Sequence, residues 1–170
     1  MNRPSSTNKQ ALLRDAKTDD VRDLAQIWYD GWQDAHADLL PTKLAQHRTL
    51  GSFRDRLARA LSDVRVAALA GELVGFSMIK DDELNQLYVA SAGRGTGIAA
   101  SLNADALARI KDGGFRVAWL ACAIGNARAA RFYEKSGWRH KGTMTSDLET
   151  PDGTFTLEVW RYEVHFSRRS

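Results

Sequence analysis

One glycine-rich segment lies where a predicted strand passes into a predicted helix: LYVASAGRGTGIAASL, residues 87–102. Gly93, Gly95 and Gly97 permit positive φ angles and let a ligand come close to the backbone. The N–H groups exposed in this way, together with the first turn of the helix, form a concave site for anionic oxygens. Arg94 adds a permanent positive charge with paired N–H donors. The segment therefore predicts a phosphate-binding corner between a strand and a helix.

Two other phosphate-binding loops do not fit this corner. A nucleotide P-loop ends in Gly-Lys-Ser or Gly-Lys-Thr, whereas this loop continues as Gly97-Ile98-Ala99. A dinucleotide-binding fold needs the spacing G-x-G-x-x-G near the start of a β-α-β unit, and the glycines here follow G-x-G-x-G. The segment taken alone also fits an ordinary glycine turn, so its meaning depends on the neighbouring elements.

The spacing of apolar residues before the corner predicts one strand, two helices and then three strands. Thr18, followed by two aspartates, is the predicted N-cap of the first helix. Gly71-Glu72 is the predicted tight turn of a hairpin. The predicted elements are a strand at 11–16, a helix with Val21, Leu24, Ile27, Trp28 and Trp32, a helix with Phe53, Leu57 and Leu61, and strands at 64–70, 73–79 and 83–89.

After the corner, the pattern predicts a helix from Ile98, a strand at 115–122, a helix at 126–136 and a final strand pair at 138–144 and 155–166. The order is β-α-α-β-β-β-α-β-α-β-β. This order predicts a mixed α+β fold, with a mainly antiparallel sheet of about six or seven strands flanked by about four helices. Residues 83–122 should form a parallel pair with a right-handed crossover. We expect a flexible arm at 1–10, a single domain at 11–166 and a basic tail at 167–170.

Composition excludes several classes of protein. A chain of 170 residues fits one domain, and none of its apolar runs approaches the roughly 20 residues that cross a membrane. The net charge of +3 comes from dispersed basic residues, which argues against a nucleic-acid surface. Cys122 is the only cysteine, and the four histidines are scattered, so no disulfide or metal site is expected. We expect a cytoplasmic protein without a metal.

A second pattern lies further along the chain, NARAARFYEKSGW at residues 126–138. Together with RGTGIA at 94–99, it resembles the GCN5-related N-acetyltransferase (GNAT) superfamily. That family binds the pyrophosphate of coenzyme A with a motif Q/R-x-x-G-x-G/A, which residues 94–99 match at every fixed position. The second pattern is similar to the family's segment whose asparagine contacts the cofactor arm and whose tyrosine lies near its sulfur. The resemblance is clear for residues 64–138 and vague before them.

The resemblance implies a set of residues that bind acetyl-coenzyme A. Backbone amides of residues 95–99 would hold the pyrophosphate, and the main chain of Leu87 and Val89 would bind the pantetheine arm as an added strand. Asn126 would contact the same arm, although it also fits a plain helix N-cap. The implied cofactor residues are Leu87, Val89, Arg94, Gly95, Thr96, Gly97, Ile98, Ala99 and Asn126.

Acetyl transfer to an amine needs a base for the amine, a donor for the oxyanion and an acid for the thiolate. Tyr133 is the candidate acid on the strength of the resemblance, although a tyrosine there also fits packing beside Phe132. Glu83 is the candidate base because many family members carry a glutamate at this point; it also fits a solvated turn acid or a contact for a cationic substrate. Cys122 is expected to be a core residue, and the N–H of Val89 is the candidate oxyanion donor.

The acceptor site is expected in the first 60 residues and the last hairpin. Tyr29, Trp32 and His36 are the candidate substrate residues, although the tryptophans also fit core packing. The leading hypothesis is an N-acetyltransferase of a small-molecule primary amine, with direct transfer in a ternary complex. A protein or peptide N-acetyltransferase and a non-catalytic acetyl-coenzyme A sensor stay open as alternatives, as does a homodimer. Asp34, Asp38, Asp147 and Glu149 are candidates to attract a cationic amine.

Overall fold

The computed structural model describes residues 11–168, which form a seven-stranded sheet with helices on both faces. The strands are β1 (Leu12–Asp15), β2 (Val64–Leu69), β3 (Glu72–Lys80), β4 (Glu83–Val89), β5 (Val117–Ala123), β6 (Arg139–Thr150) and β7 (Gly153–His165). The sheet order is β1-β2-β3-β4-β5-β7-β6, and only the β4–β5 pair is parallel. The predicted mixed fold is therefore confirmed. The predicted arm at 1–10 and the last two residues of the predicted tail lie outside the described residues.

The helices divide between the two faces of the sheet. They are α1 (Val21–His36), α2 (Thr42–Ala45), α3 (Leu50–Arg59), α4 (Ile98–Asp112) and α5 (Ala127–Lys135). On one face, Trp28 of α1 and Phe53 of α3 pack on Phe76 of β3, and all three are at most 1% exposed. On the opposite face, Ile110 of α4 and Ala130 of α5 join one apolar cluster with Leu120 of β5. Burying these apolar stripes supplies most of the stability of the helices.

The parallel strands β4 and β5 meet at one end and then diverge. Their register contains one pair, Glu83 with Trp119, and the Trp119 N–H donates to the Asp82 carbonyl at 3.0 Å. On the other side of β4, pairing with β3 continues to Val89, with a bulge at Asn85. A bulge bends a strand and increases its twist. One edge of β4 is therefore left without a partner along a V-shaped gap in the middle of the sheet.

Local details differ from the predictions at four places. Thr18 is not the N-cap of α1; it begins a 3₁₀ turn, and Asp20 stands at the cap position with its carboxylate bound to Arg14. The hairpin turn between β2 and β3 is Ala70-Gly71, one residue earlier than expected, since both have positive φ angles. The short helix α2 was not predicted. The final strands β6 and β7 are longer than predicted, so only Pro151 and Asp152 lie between them.

Candidate active site

A cleft of about 1090 Å³ passes through the gap between β4 and β5. One end is lined by the glycine corner at residues 93–100, on the face of the sheet that α4 covers. The other end is lined by α1, by the segment that leads into α3, and by residues 144–148 of β6. The cleft therefore connects an anion-binding corner on one face of the sheet with a second chamber on the other face.

The glycine corner is built as an open cradle. Gly95 and Gly97 have φ angles of +73° and +82°, and a Cβ added at either would meet nothing within 4 Å. The first hydrogen bond of α4 runs from the Ser101 N–H to the Gly97 carbonyl at 3.0 Å, so the N–H groups of residues 98–100 have no helical acceptor. These donors, with the positive end of the helix dipole, favour a bound anion.

Contacts within the corner hold its shape. The Thr96 hydroxyl donates to the Gly93 carbonyl, which fixes the turn from inside. Gly93 itself has no room for a side chain, because a Cβ there would lie 2.9 Å from Val89 Cγ1. The Arg94 guanidinium reaches Asp34 at 3.5 Å, and this pair ties the corner to α1. Arg94 is only partly covered, so its guanidinium remains accessible to a second anion.

The unpartnered edge of β4 presents backbone groups to the cleft. The Ala90 N–H donates to the Val74 carbonyl at 2.8 Å, which makes Ala90 and Val74 a hydrogen-bonded pair. Because such pairs alternate along antiparallel strands, the N–H and C=O groups of Leu87 and Val89 point away from β3 and into the gap. An extended ligand with amide groups can bind there as an added strand.

Asn126 lies across the gap from this edge, at the start of α5. Its side-chain Oδ1 accepts a hydrogen bond from the Ala129 N–H at 3.3 Å, so the predicted N-cap is present. The residue is half-buried and lines the cleft, and its side-chain amide keeps its two donors beside the gap. Both roles considered for Asn126 are thus geometrically compatible.

Comparisons with known proteins agree with this arrangement of strand, glycine corner and helix. A family model described as the acetyltransferase (GNAT) family matches residues 19–138. The chain belongs to this family. An uncharacterized N-acetyltransferase of Mycobacterium tuberculosis is 39% identical over 102 residues, which is 55% of this chain and 65% of the length of that relative.

Solved structures of GNAT proteins share the fold at low sequence identity. A GCN5-related N-acetyltransferase from Rhodopseudomonas palustris superimposes with a TM-score of 0.72 at 20% identity, covering 92% of this chain and 96% of that one. The PaiA N-acetyltransferase of Thermoplasma acidophilum, solved in complex with coenzyme A, gives a TM-score of 0.65 at 18% identity and covers 92% and 99% of the two chains. At these identities the likeness establishes the fold alone.

In this GNAT chain, Tyr133 lies on the cleft side of α5. Its ring packs edge-on against Phe132 and Trp138, whose ring centroids are 5.4 Å and 6.0 Å away. Tyr133 therefore packs beside Phe132 and also lines the cleft. No side chain or backbone group among residues 11–168 hydrogen-bonds its hydroxyl. Burial, followed by the nearby Cys122 and Tyr88, raises the pKa of Tyr133. Its phenol therefore keeps its proton at neutral pH and is free to donate.

Glu83 lies at the closed end of the V-shaped gap. It is half-buried and lines the cleft, and its Oε1 accepts a hydrogen bond from the Asn85 amide at 3.2 Å. Burial raises the pKa of Glu83, although the Asn85 hydrogen bond opposes the shift. A carboxylate whose ionised form is destabilised by burial is a stronger base than one in water.

The candidate substrate residues of α1 separate in the structure. Trp32 is 5% exposed and belongs to the core, although one edge reaches the cleft. His36 lines the cleft beside Trp32, and burial lowers its pKa to about 4, so it is neutral at physiological pH. Tyr29 points elsewhere and packs edge-on against Phe53, 6.5 Å between centroids. The structure therefore places Tyr29 outside the cleft.

The acids and the cysteine near the cleft are also distributed unevenly. Asp34, Asp38 and Asp147 line the cleft, and Asp34 is also paired with Arg94, whereas Glu149 does not reach the cleft wall. Cys122 is 5% exposed, and burial raises the pKa of its thiol to about 11. A protonated buried thiol is a poor nucleophile.

Three cleft residues were missed from the sequence: Arg48, Arg56 and Tyr88. Tyr88, on β4, lines the cleft, and its ring stacks on Phe76 with the centroids 5.9 Å apart. Arg56 follows Phe53 by three residues, so it falls within the apolar stripe of α3. A charged residue in an apolar stripe is a recognisable signal. Arg48 precedes the helix and gives no such signal.

Two features are absent from residues 11–168. No group of three or more His, Cys, Asp or Glu side chains is arranged to hold a metal ion. None of the helices in this part of the chain is long and apolar enough to cross a membrane.

Proposed function

We propose that this GNAT protein transfers an acetyl group from acetyl-coenzyme A directly to the primary amine of a small molecule. The observation that carries the proposal is the open cradle at Gly95 and Gly97, placed at the end of the unpartnered β4 edge. The space beside each glycine is open, and a Cβ at either would project into it, so the bare backbone leaves room for a diphosphate. The coenzyme A bound to the PaiA relative supports the same ligand class here.

The residues of the gap can divide the chemistry among them. Acetyl-coenzyme A supplies an acetyl group activated as a thioester. The Val89 N–H, which points into the gap, can donate to the carbonyl oxygen as negative charge develops. Glu83 can accept a proton from the acceptor's ammonium group, directly or through a water. Tyr133 can give its proton to the thiolate that leaves.

Two contacts favour a small acceptor over a long peptide. Leu39, in the α1–α2 connection, lies so near the end of β5 that a Cβ on Gly125 would be 3.1 Å from its Cδ2. His47, between α2 and α3, pairs with Asp152 in the β6–β7 turn at 3.1 Å. Leu39 and Gly125 line the cleft itself, and the second contact ties the segment next to the lining residue Arg48 to the β6–β7 turn. A peptide lying along an open groove has less room there than a compact amine.

The proposal is tested by measuring thiol release from acetyl-coenzyme A with a panel of small amines and N-terminal peptides. Mass spectrometry should show products heavier by one acetyl group for small amines. Turnover of peptides alone would replace the proposal with a protein N-acetyltransferase. Calorimetric binding of acetyl-coenzyme A without turnover of any amine would indicate a sensor.

A further inference from the structure

Two arginines line the acceptor end of the cleft, and in the described chain neither has an acidic group within ion-pair distance. Arg48 is 7% exposed, so it is one of the few buried charged residues of the described chain. Arg56, on α3, lies with its guanidinium carbon 4.4 Å above the ring of Trp28. Both line the same cleft as Glu83 and Tyr133. Two positive charges therefore stand at the acceptor end, where acids were expected to attract a cationic amine.

The contacts of these arginines set them apart from others in the protein. Arg14, Arg65 and Arg94 each form an ion pair with an aspartate. Within residues 11–168, neither Arg48 nor Arg56 forms an ion pair or donates a side-chain hydrogen bond. The stacking on Trp28 accounts for part of the position of Arg56, but nothing comparable holds Arg48.

The charge of both arginines persists at physiological pH. Burial lowers the pKa of Arg56 to about 10 and lowers that of Arg48, which leaves both protonated. Tyr88, which lines the same cleft, has a pKa raised by burial and stays neutral. A largely buried charge without a partner is unfavourable. An anion bound beside the two guanidinium groups would remove this cost.

We propose that the acceptor amine carries a carboxylate, which Arg48 and Arg56 bind. This proposal rests on the proposed function. The planar guanidinium fork matches the two oxygens of a carboxylate. Tyr88 connects this anion site with the free edge of β4, because its ring centroid lies 6.4 Å from that of Trp28, on which Arg56 stacks, and Val89 follows it in the strand. The acceptor class is therefore an amino acid or a similar amino-carboxylate.

The phosphates of the coenzyme do not explain these charges. The glycine corner lies on the face of the sheet covered by α4, whereas Arg56 packs on Trp28 on the opposite face. The corner also has its own cation, Arg94. The two anion sites are therefore separate, and substitution of one should leave ligand binding at the other unchanged.

The test compares matched amines that differ in one group: amino acids, the corresponding amino-acid amides, and aminoalkyl phosphonates. With the wild type, kcat/KM should be at least tenfold higher for amino acids than for their amides. Arg48→Gln and Arg56→Gln should each lower kcat/KM for amino acids by about thirtyfold or more, with little effect on the amides. Arg54→Gln, an exposed residue on the same helix, is the matched control and should leave both values unchanged. A preference for phosphonates over carboxylates would overturn the carboxylate assignment.

Binding measurements separate this proposal from the proposed function. The dissociation constant of acetyl-coenzyme A should be the same in all variants, and a tenfold loss in Arg48→Gln would reassign the arginines to the cofactor. Thermal shift with a saturating amino acid should raise Tm of the wild type and of Arg54→Gln, but not of Arg48→Gln. If no amine of any kind is acetylated, the proposed function fails. If amines are acetylated and amides match amino acids, only the carboxylate site fails.

Discussion

Glu83 and Trp119 form the single register pair between β4 and β5 in the described chain, and this junction fixes where the cleft begins. The Trp119 indole N–H donates to the Asp82 carboxylate at 3.0 Å, in addition to the backbone hydrogen bond. On the other side, the guanidinium carbon of Arg161 lies 4.7 Å from the Trp119 ring. The strands are thus fastened at one end. The candidate base stands at that fastened end, and the anion cradle stands where the strands have separated.

Gly97→Glu should abolish the binding of acetyl-coenzyme A. A glutamate at this position would have to adopt a positive φ angle, and its side chain would place a carboxylate in the cradle. The carboxylate would repel the pyrophosphate. We expect calorimetry to show affinity at least about 100-fold weaker, which corresponds to about 2.7 kcal/mol.

The matched control for this change is Gly114→Glu, at the other end of α4. Gly114 also has a positive φ, +92°, and equally open surroundings. Both variants should lose about 1 to 2 kcal/mol of stability through backbone strain. Equal affinity of the two variants for the coenzyme would show that the cradle is not the binding site.

The sequence was informative about the corner because local signals determine it. Glycine spacing, the preceding strand and the following helix all lie within residues 87–102. The bounds of β4 were predicted to the residue, since the Asp81-Asp82 turn and the glycines delimit it. The N-cap at Asn126 is equally local.

The acceptor end could not be predicted in the same way. Arg48 and Arg56 reach the cleft only because α3 packs across α1, and that packing is a tertiary effect. Tyr29 and His36 share a helix, yet one turns to Phe53 and the other to the cleft. Sequence spacing identified the helix but did not identify which side of it faces the acceptor.

Tyr133→Phe should reduce turnover much more than it reduces cofactor affinity. The hydroxyl group has no hydrogen-bond partner in the described chain, so its removal should leave the packing of the ring against Trp138 intact. General acid assistance contributes about 10²-fold or more, and we expect kcat to fall by about that factor. The acetyl-coenzyme A dissociation constant should change by less than about twofold, because the proposed role of the hydroxyl is to assist the departing thiolate and not to bind the cofactor.

Tyr29→Phe is the matched control for this experiment, since Tyr29 packs on Phe53 outside the cleft. It should retain wild-type kcat. If Tyr133→Phe has the same kcat as this control, the phenol takes no part in the chemistry and Tyr133 has only a packing role.

The lowered pKa of His36 should make the folded protein less stable in mild acid. Burial lowers its pKa from 6.5 to about 4, so between these values the unfolded chain binds the proton more readily than the folded chain. Stability is therefore retained above pH 6.5 and is lost as the pH falls towards 4, by at most about 3 kcal/mol. Urea unfolding of His36→Gln should show a smaller loss than the wild type over this interval. The exposed His140, changed to Gln, should behave like the wild type.

Glu83→Gln should remove the acidic limb of the pH–rate profile. Because burial raises the pKa of Glu83, that limb should lie above the ordinary carboxyl range in the wild type. The amide cannot accept the proton, so the residual rate should be low and flat across the limb. Asp81→Asn, in the neighbouring turn, is the matched control and should keep both the rate and the limb.

Stability gives an independent check on the same residue. In the interval between the unfolded and folded pKa values of Glu83, the folded protein holds more protons, so its stability falls as the pH rises. Gln at this position cannot ionise, so the Tm of Glu83→Gln should rise relative to the Tm of the wild type between pH 4 and pH 7. This pH range begins near the ordinary glutamate pKa of about 4.3 and extends above it. A constant Tm difference together with a retained acidic limb would mean that Glu83 is solvated and that another group, or water, takes the proton.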